Sequence, residues 1–361
     1  MLLSDVRYQG TALRRIQQAL SRDRVPHAYL FHGPEGVGKE TLAMGLAHLL
    51  LCGQPCEKEL TGKDTAEVGL QRLREGCGRC EDCKLVAART HPDLHLIYRQ
   101  LLRTHDDPEV RKKTGRELVI DVMRDFVIRK AGLTPFRGRA KVFVIRGADS
   151  MNAASQNAML KTLEEPQGKT FLILLVDAVD RMLPTTLSRC QVVRFHGLPE
   201  SFIRDRLSAS RPDLSREKIV WYSRYAAGSL GRALECAEDE LFEVYQSLLK
   251  GLERLDTSAD TLAKVWLEEA AALGVRHRKR EPEITETEAT RRGLTALLQL
   301  TAQWYADALN KGAKAGQFAD AERAAAAIQR LTEAERQLGL NANTQLIVET
   351  LVADLADVAA I

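Results

Sequence analysis

The chain has 361 residues, a length that allows two or three domains, each with its own hydrophobic core. Its net charge of +3 is too small to indicate nucleic-acid binding by itself, and an aromatic content of 5% argues against base stacking along a single strand. No apolar run approaches the ~20 residues of a membrane span, and the N-terminus lacks the pattern of a signal peptide. We therefore expect a cytoplasmic protein whose seven cysteines are thiols or metal ligands, not disulfides.

A glycine-rich segment near the N-terminus matches most of a phosphate-binding loop. Residues 33–40 read Gly-Pro-Glu-Gly-Val-Gly-Lys-Glu, between an apolar run at 28–31 that favours a strand and a helical pattern at 41–51. In such a loop the backbone N–H groups and the lysine hold phosphate groups. The predicted nucleotide-binding residues are Gly33, Gly36, Gly38, Lys39, Glu40 and Thr41. Glu40 replaces the Ser or Thr that would bind Mg²⁺, and its carboxylate would bring negative charge close to the phosphates.

A second requirement for hydrolysis fails further along the chain. The run Lys141–Ile145 is short, β-branched and apolar, which predicts a buried parallel strand. In a hydrolysing P-loop protein this strand ends in an acidic pair that holds Mg²⁺ and positions water. Here Arg146 and Gly147 follow the strand, and Asp149 comes too late. We therefore predict no ATP hydrolysis at this site, and the sequence leaves open whether the loop holds a nucleotide without hydrolysing it.

A cluster of cysteines follows the first helix after the loop. Cys77, Cys80 and Cys83 form two overlapping C-x-x-C units, and either Cys52 or Cys56 can supply a fourth thiolate. Four thiolates suit a structural Zn²⁺ with no open position for catalysis. A redox C-x-x-C pair and incidental free thiols are the alternatives.

The remaining elements are predicted from periodicity and from proline positions. Strands are expected at 170–176 and 191–195, and a helix at 152–165 that Pro166 ends. The polar stretch 99–116 is predicted to be a surface loop. From residue 198 the pattern is almost entirely helical. The basic run 276–280 is predicted to be a charged loop, and contact with phosphates is the alternative.

Several of these motifs occur together in one order. They are His27-Ala28-Tyr29-Leu30-Phe31 before the P-loop, the cysteine module, Gln156-Asn157-Ala158-Met159-Leu160-Lys161-Thr162-Leu163-Glu164-Glu165-Pro166, and Ser188-Arg189-Cys190. In this combination the chain closely resembles the clamp-loader AAA+ subunits of bacterial DNA polymerase III, strongly over about residues 10–200. The resemblance implies an α/β AAA+ P-loop domain at 1–197 with a zinc module at about 52–95. A helical lid at 198–239 and an all-helical collar at 240–361, which oligomerises with other subunits, would follow.

Within this family the chain departs from the ATP-hydrolysing tau/gamma type at both metal positions, Glu40 and Arg146. Val176 lies near the position of the family's polar sensor residue, with Asp177 adjacent, and the arginine of the second sensor segment, 228–232, is displaced by one residue. These losses are similar to those of delta-prime subunits, which keep the fold but not the ATPase. A divergent tau/gamma-type ATPase and a stand-alone zinc- and DNA-binding adaptor are the alternatives.

The resemblance also implies roles and partners. Arg189 would be an arginine finger that reaches into ATP bound by a neighbouring tau/gamma subunit, and a planar, always charged guanidinium suits phosphate oxygens. Cys52, Cys77, Cys80 and Cys83 are the metal ligands that we predict. The implied partners are tau/gamma and delta subunits, with the sliding clamp and primed DNA reached through the complex.

Overall fold

The computed structural model describes the chain except for residues 112–116, 138, 253–254, 283, 316, 341 and 361, and side chains 255–260 and 359–360 are also outside the description. The described residues form two compact units, Met1–Ala233 and Leu234–Ile361. Among these residues, no helix combines the length and the apolar character that a membrane crossing needs.

A parallel sheet forms the centre of the first unit. The strands of the described chain are β1 (Ala28–His32), β2 (Cys56–Glu59), β3 (Arg72–Glu75), β4 (Leu94–Ile97), β5 (Lys141–Ile145), β6 (Thr170–Val176) and β7 (Gln191–Arg194). Five of them form one sheet in the order β4-β5-β6-β1-β7, while β2 and β3 pair antiparallel by themselves. All the pairs of the large sheet are parallel, so the carboxyl ends of its strands lie along one edge.

The central strands form because their side chains are buried on both faces. Every residue of β5 is buried, and in β6 all but Phe171 are. Continuous apolar runs of this kind are typical of parallel strands covered by helices. The predicted strands at 28–31, 141–145, 170–176 and 191–195 are confirmed within one residue at their ends.

Helices cover both faces of this sheet and continue beyond it. In the first unit they are α1 (Gly10–Ser21), α2 (Lys39–Leu51), α3 (Gly62–Val68), α4 (Glu81–Ala87), α5 (Pro108–Arg111), α6 (Ile120–Val122), α7 (Arg129–Ala131), α8 (Ala153–Glu164), α9 (Pro184–Leu187), α10 (Glu200–Ser210) and α11 (Arg216–Tyr225). A π-helical turn, Met123–Ile128, joins α6 to α7. The predicted helices at 41–51 and 152–165 are therefore confirmed within two residues at their ends.

The rest of the described chain is helical, as predicted. Its helices are α12 (Leu230–Glu238), α13 (Leu241–Leu252), α14 (Leu255–Arg280), α15 (Glu286–Ala315), α16 (Phe318–Gly339) and α17 (Thr344–Ala360). Together, the parallel sheet with its P-loop and the following helices confirm the predicted fold class, an α/β P-loop domain followed by all-helical segments.

The predicted loop at 276–280 is wrong, and the predicted loop at 99–116 is wrong in part. Residues 276–280 form the last turn of α14, where positive charges interact favourably with the negative end of the helix dipole. Arg276, His277 and Arg280 also contact acidic residues at 238–240. The stretch 99–111 contains a 3₁₀ helix at Arg99–Thr104 and α5. Residues 112–116, the remainder of that predicted loop, lie outside the described residues.

Candidate functional site

The P-loop connects the carboxyl end of β1 to the amino end of α2. Three of its glycines, Gly33, Gly36 and Gly38, have φ values of 147°, 69° and 101°, which side-chain-bearing residues rarely adopt. Gly38 precedes the first residue of α2, so the free N–H groups of that helix face the loop. Thr41 lies in the first turn of α2. The backbone of the loop is therefore suited to phosphate.

Lys39, however, is engaged by its own chain. Its ammonium group donates to the carbonyls of Gly33 and Pro34, both at 2.5 Å, and to Asp177 Oδ1 at 2.6 Å. Lys39 is 7% exposed. An ammonium group has three hydrogens to donate, and here each has an acceptor, so a phosphate would have to displace one of them.

Glu40 is directed toward cations and not toward the loop interior. Its Oε1 accepts from Arg146 Nη2 and lies 3.1 Å from Nη2 of Arg89. Arg146 follows β5, where an acidic residue would help to hold Mg²⁺. Asp149 does not replace it, because Asp149 Oδ2 accepts the backbone N–H of Ala178. Both positions that should bind the metal thus carry the wrong group, and the two groups neutralise each other.

The segment 228–232 packs directly against the loop. The N–H of Gly231 donates to Gly36 O at 3.3 Å, and Ser229 caps α12 by accepting the N–H of Arg232. The guanidinium of Arg232 lies over the ring of Tyr225 at 4.8 Å. The arginine of the predicted second sensor segment therefore contacts an aromatic ring of its own chain.

Four of the cysteines converge on one point beside α2. The Sγ atoms of Cys52, Cys77, Cys80 and Cys83 all lie within 4.8 Å of one another. Cys56, the other candidate for the fourth ligand, is exposed on β2 and does not belong to this group. Backbone N–H groups of Gln54 and Cys77 point at Cys52 Sγ, each at 3.3 Å, and such donors stabilise a thiolate.

The distances among these sulfurs fit a tetrahedral metal ion. Four sulfurs bound to Zn²⁺ at ~2.3 Å would lie ~3.8 Å apart. The Cys52–Cys77, Cys52–Cys80 and Cys77–Cys83 separations are 3.6, 3.7 and 4.0 Å. These values are far longer than the ~2.05 Å of a disulfide bond. The N–H groups of Arg79 and Cys80 lower the pKa of Cys77 to about 6, whereas burial raises the pKa of Cys83.

Arg189 lies at the opposite edge of the sheet from the P-loop. It lies two residues before the start of β7, whereas the P-loop follows β1, and the two strands are parallel neighbours. A strand of four residues spans ~13 Å, so the side chain is separated from its own P-loop by the height of the sheet. Arg189 Nε donates to Glu164 Oε1 at 2.5 Å, and its Nη1 donates to the carbonyl of Thr185.

The sequence is similar to those of known proteins. A family model described as "DNA polymerase III, delta subunit" matches residues 8–199. The DNA polymerase III subunit delta-prime of Pseudomonas aeruginosa is 33% identical over 263 residues, which cover 69% of this chain and 70% of that protein. This chain belongs to the delta-prime family of DNA polymerase III subunits.

Two further relatives show how far the likeness extends. The delta-prime subunit of Bacillus subtilis is 32% identical over 55% of this chain and 51% of its own length. The tau subunit of Escherichia coli is 29% identical over 75% of this chain and 37% of its own length. Thus the matched region spans about half of one delta-prime relative and more than two thirds of the other.

Two contacts of this delta-prime family member were not anticipated from its sequence. The sequence pattern identifies Asp177 only as a neighbour of the sensor position, but Asp177 follows β6, the strand beside β1, and therefore lies next to the P-loop. Arg89 belongs to the cysteine module, and nothing in the pattern places it near Glu40. Knowledge of the strand order could have identified Asp177, but not Arg89.

Proposed function

We propose that this chain is a non-hydrolysing subunit of a cytoplasmic clamp loader that helps to load the sliding clamp onto primed DNA. In this proposal it assembles with tau/gamma and delta subunits through a helical collar, residues 240–361. Residues 198–239 form the lid of its AAA+ domain, 1–197. Its own contribution to chemistry is Arg189, which acts in trans on ATP held by a neighbouring subunit.

The observation that supports a non-hydrolysing role is that two charged residues of the P-loop are paired with other side chains of the same chain. Lys39 is paired with Asp177, and Glu40 is paired with Arg146. Hydrolysis in P-loop enzymes depends on Mg²⁺ that bridges the phosphates and neutralises the developing charge. With Arg146 in the place of an acidic ligand, this site offers the metal a repulsive charge instead of a carboxylate.

The position of Arg189 supports its role in trans. It lies at the edge of the sheet away from its own P-loop, and its side chain is about one third exposed. Its partner Glu164 is also at the surface, where an ion pair contributes about 0–1 kcal/mol. Such a pair can be exchanged at little cost for the stronger contact that a guanidinium makes with phosphate oxygens.

We further propose that Cys52, Cys77, Cys80 and Cys83 hold a structural Zn²⁺. The sulfur separations support this set, and four thiolates leave the metal no open position for a substrate. When bound, the metal would cross-link the end of α2 to the segment 77–83. Its role is therefore to stabilise the fold.

The test is the DNA-stimulated ATPase of a loader reconstituted with tau/gamma and delta subunits. Arg189→Ala should lower turnover by about tenfold or more, since an arginine finger supplied in trans contributes at least this much. Arg189→Lys should restore only part of the rate, because an ammonium group cannot make the bidentate contact. Assembly of the complex should not change in either variant.

Glu164→Ala provides the matched control. It removes the surface partner of Arg189 but leaves the guanidinium in place, so turnover should stay at the wild-type level. Wild-type turnover by the Arg189→Ala loader, with assembly intact, would refute the role in trans.

A further inference from the structure

The segment between α7 and β5 exposes two large apolar side chains. Leu133 is 62% exposed and Phe136 is 84% exposed, the highest value among the large hydrophobic residues of the described chain. Here the backbone that carries these side chains is hydrogen-bonded to buried groups of the domain.

Two buried charges hold this backbone. The carboxylate of Asp93, 2% exposed, accepts the N–H of Phe136 at 2.6 Å and that of Arg137 at 2.8 Å. The ammonium of Lys141 donates to the carbonyls of Lys130 and Ala131 at the end of α7 and of Leu133 just after it. Because each charge is desolvated, its hydrogen bonds to the backbone are strong, and they restrain the described backbone near Leu133 and Phe136.

Two arginines connect the same loop to the cysteine module. Arg137 Nε lies 2.6 Å from Asp82 Oδ1, and its Nη2 donates to Glu81 at 2.9 Å. Both acidic residues stand between the ligands Cys80 and Cys83. Arg139 Nη1 donates at 3.0 Å to the carbonyl of Cys52, a third proposed ligand.

Within the module, a histidine links Asp93 to the segment that carries the cysteines. The Nδ1 of the buried His91 accepts the N–H of Asp93 at 3.1 Å, and its Nε2 faces Asp82 at 3.5 Å. With Nδ1 acting as an acceptor, the ring's proton is on Nε2, toward Asp82. Asp82 therefore lies against both Arg137 of the loop and His91, the histidine that contacts Asp93.

When Zn²⁺ is bound, the negative net charge of the cysteine site favours these contacts with the arginines. Four thiolates and one Zn²⁺ carry a net charge of −2, and the acidic pair 81–82 adds to it. Two guanidinium groups lie against this negative region, and a guanidinium near an anionic metal site is held more firmly than one in water.

We propose that the metal module positions the exposed loop, so that Leu133 and Phe136 are presented in one geometry only when the metal is bound. Arg137 and Arg139 are the positioning residues. This inference rests on the proposed zinc site and not on the clamp-loader role, so each can fail without the other.

Hydrogen exchange of the full-length protein, with zinc bound and after removal by a chelator, tests the proposal. Metal removal should raise the exchange rate of the amides of Phe136 and Arg137 by about tenfold or more, because their bonds to Asp93 open more often. The amides of β6 and α15 should keep their protection. Unchanged exchange of the loop after zinc removal would overturn the proposal, and so would loss of protection throughout the sheet, since the metal would then support the whole fold.

Substitution of the two arginines tests whether they transmit the effect of the metal to the loop. The double substitution Arg137→Gln and Arg139→Gln should leave about one equivalent of zinc bound while the loop exchanges at the metal-free rate. Arg129→Gln is the matched control, because this exposed arginine pairs with Asp125, four residues earlier in the chain. Wild-type, metal-dependent protection in the double variant would contradict the role of the arginines. If the double variant holds no zinc, the exchange rates of the zinc-bound and zinc-free wild-type protein still test whether the metal positions the loop.

Discussion

Lys39 and Asp177 form an ion pair with an Nζ–Oδ1 distance of 2.6 Å, in which the lysine of the P-loop is bound by a carboxylate that follows the neighbouring strand β6. A phosphate group would normally occupy that side of the lysine. The chain thus supplies its own anion where a nucleotide would supply one. Since Glu40 is paired with Arg146 in the same way, the loop is electrostatically satisfied without nucleotide or Mg²⁺.

Lys39→Ala should therefore leave ATP turnover unchanged. The isolated chain is expected to hydrolyse ATP no faster than a buffer blank in the presence of Mg²⁺, because the metal lacks a carboxylate ligand at position 146. A coupled assay with the purified chain and its Lys39→Ala variant measures this. Turnover that disappears in the variant would falsify the scaffold role and favour a divergent ATPase of the tau/gamma type.

Cys52 and Cys56 should behave differently as ligands. Cys52→Ser is expected to reduce bound zinc to below half an equivalent, because it removes one corner of the sulfur tetrahedron. Cys56→Ser should leave about one equivalent, because this thiol is exposed and apart from the other four. Metal analysis of both proteins after growth with zinc provides the measurement, and the reverse order of zinc contents would show that the ligand set is wrong.

The cysteines also show which site residues can be predicted from sequence and which cannot. The C-x-x-C spacing fixes Cys77, Cys80 and Cys83 locally, so they were predictable, while the choice between Cys52 and Cys56 depends on where the chain turns after α2. Strands such as β5 were predictable because they are apolar and β-branched along their length. β4 was not, because His95 interrupts its pattern, and here the ring is accommodated by stacking on Phe143.

Gly36 is required by the packing of residues 229–231 as well as by its own backbone angle. A Cβ atom at this position would lie 2.3 Å from Ser229 Oγ and 2.8 Å from the nitrogen of Gly231, and the φ of +69° adds strain. We expect Gly36→Ala to lower the free energy of unfolding by about 2–3 kcal/mol.

Gly38→Ala is the matched control for this substitution. Its φ of +101° is also positive, but a Cβ there meets no atom within 4 Å. It should therefore cost only the backbone strain, about 1–2 kcal/mol. Urea unfolding of both variants compares them, and equal losses would show that the contact with residues 229–231 contributes nothing to stability.

His95 should make the stability of the first unit depend on pH. Burial, reinforced by the nearby cations Lys130 and Lys141 and opposed by Asp93, lowers the pKa of His95 to about 4 from its usual 6.5. The unfolded chain therefore binds a proton more readily than the folded protein between these values. Stability from this group is complete above about pH 6.5 and is lost as the pH falls toward 4.

Replacing His95 with Phe should remove this dependence. The ring of Phe143 stacks on His95 at 4.6 Å, and a phenyl group can keep that contact without a titrating nitrogen. Between pH 7 and pH 4.5 the variant should lose about 1–2 kcal/mol less of its unfolding free energy than the wild type, after allowance for solvent screening. Urea unfolding at the two pH values measures the difference, and thiolates that release zinc in acid affect both proteins alike. Equal losses in the two proteins would show that folding does not lower the pKa of His95.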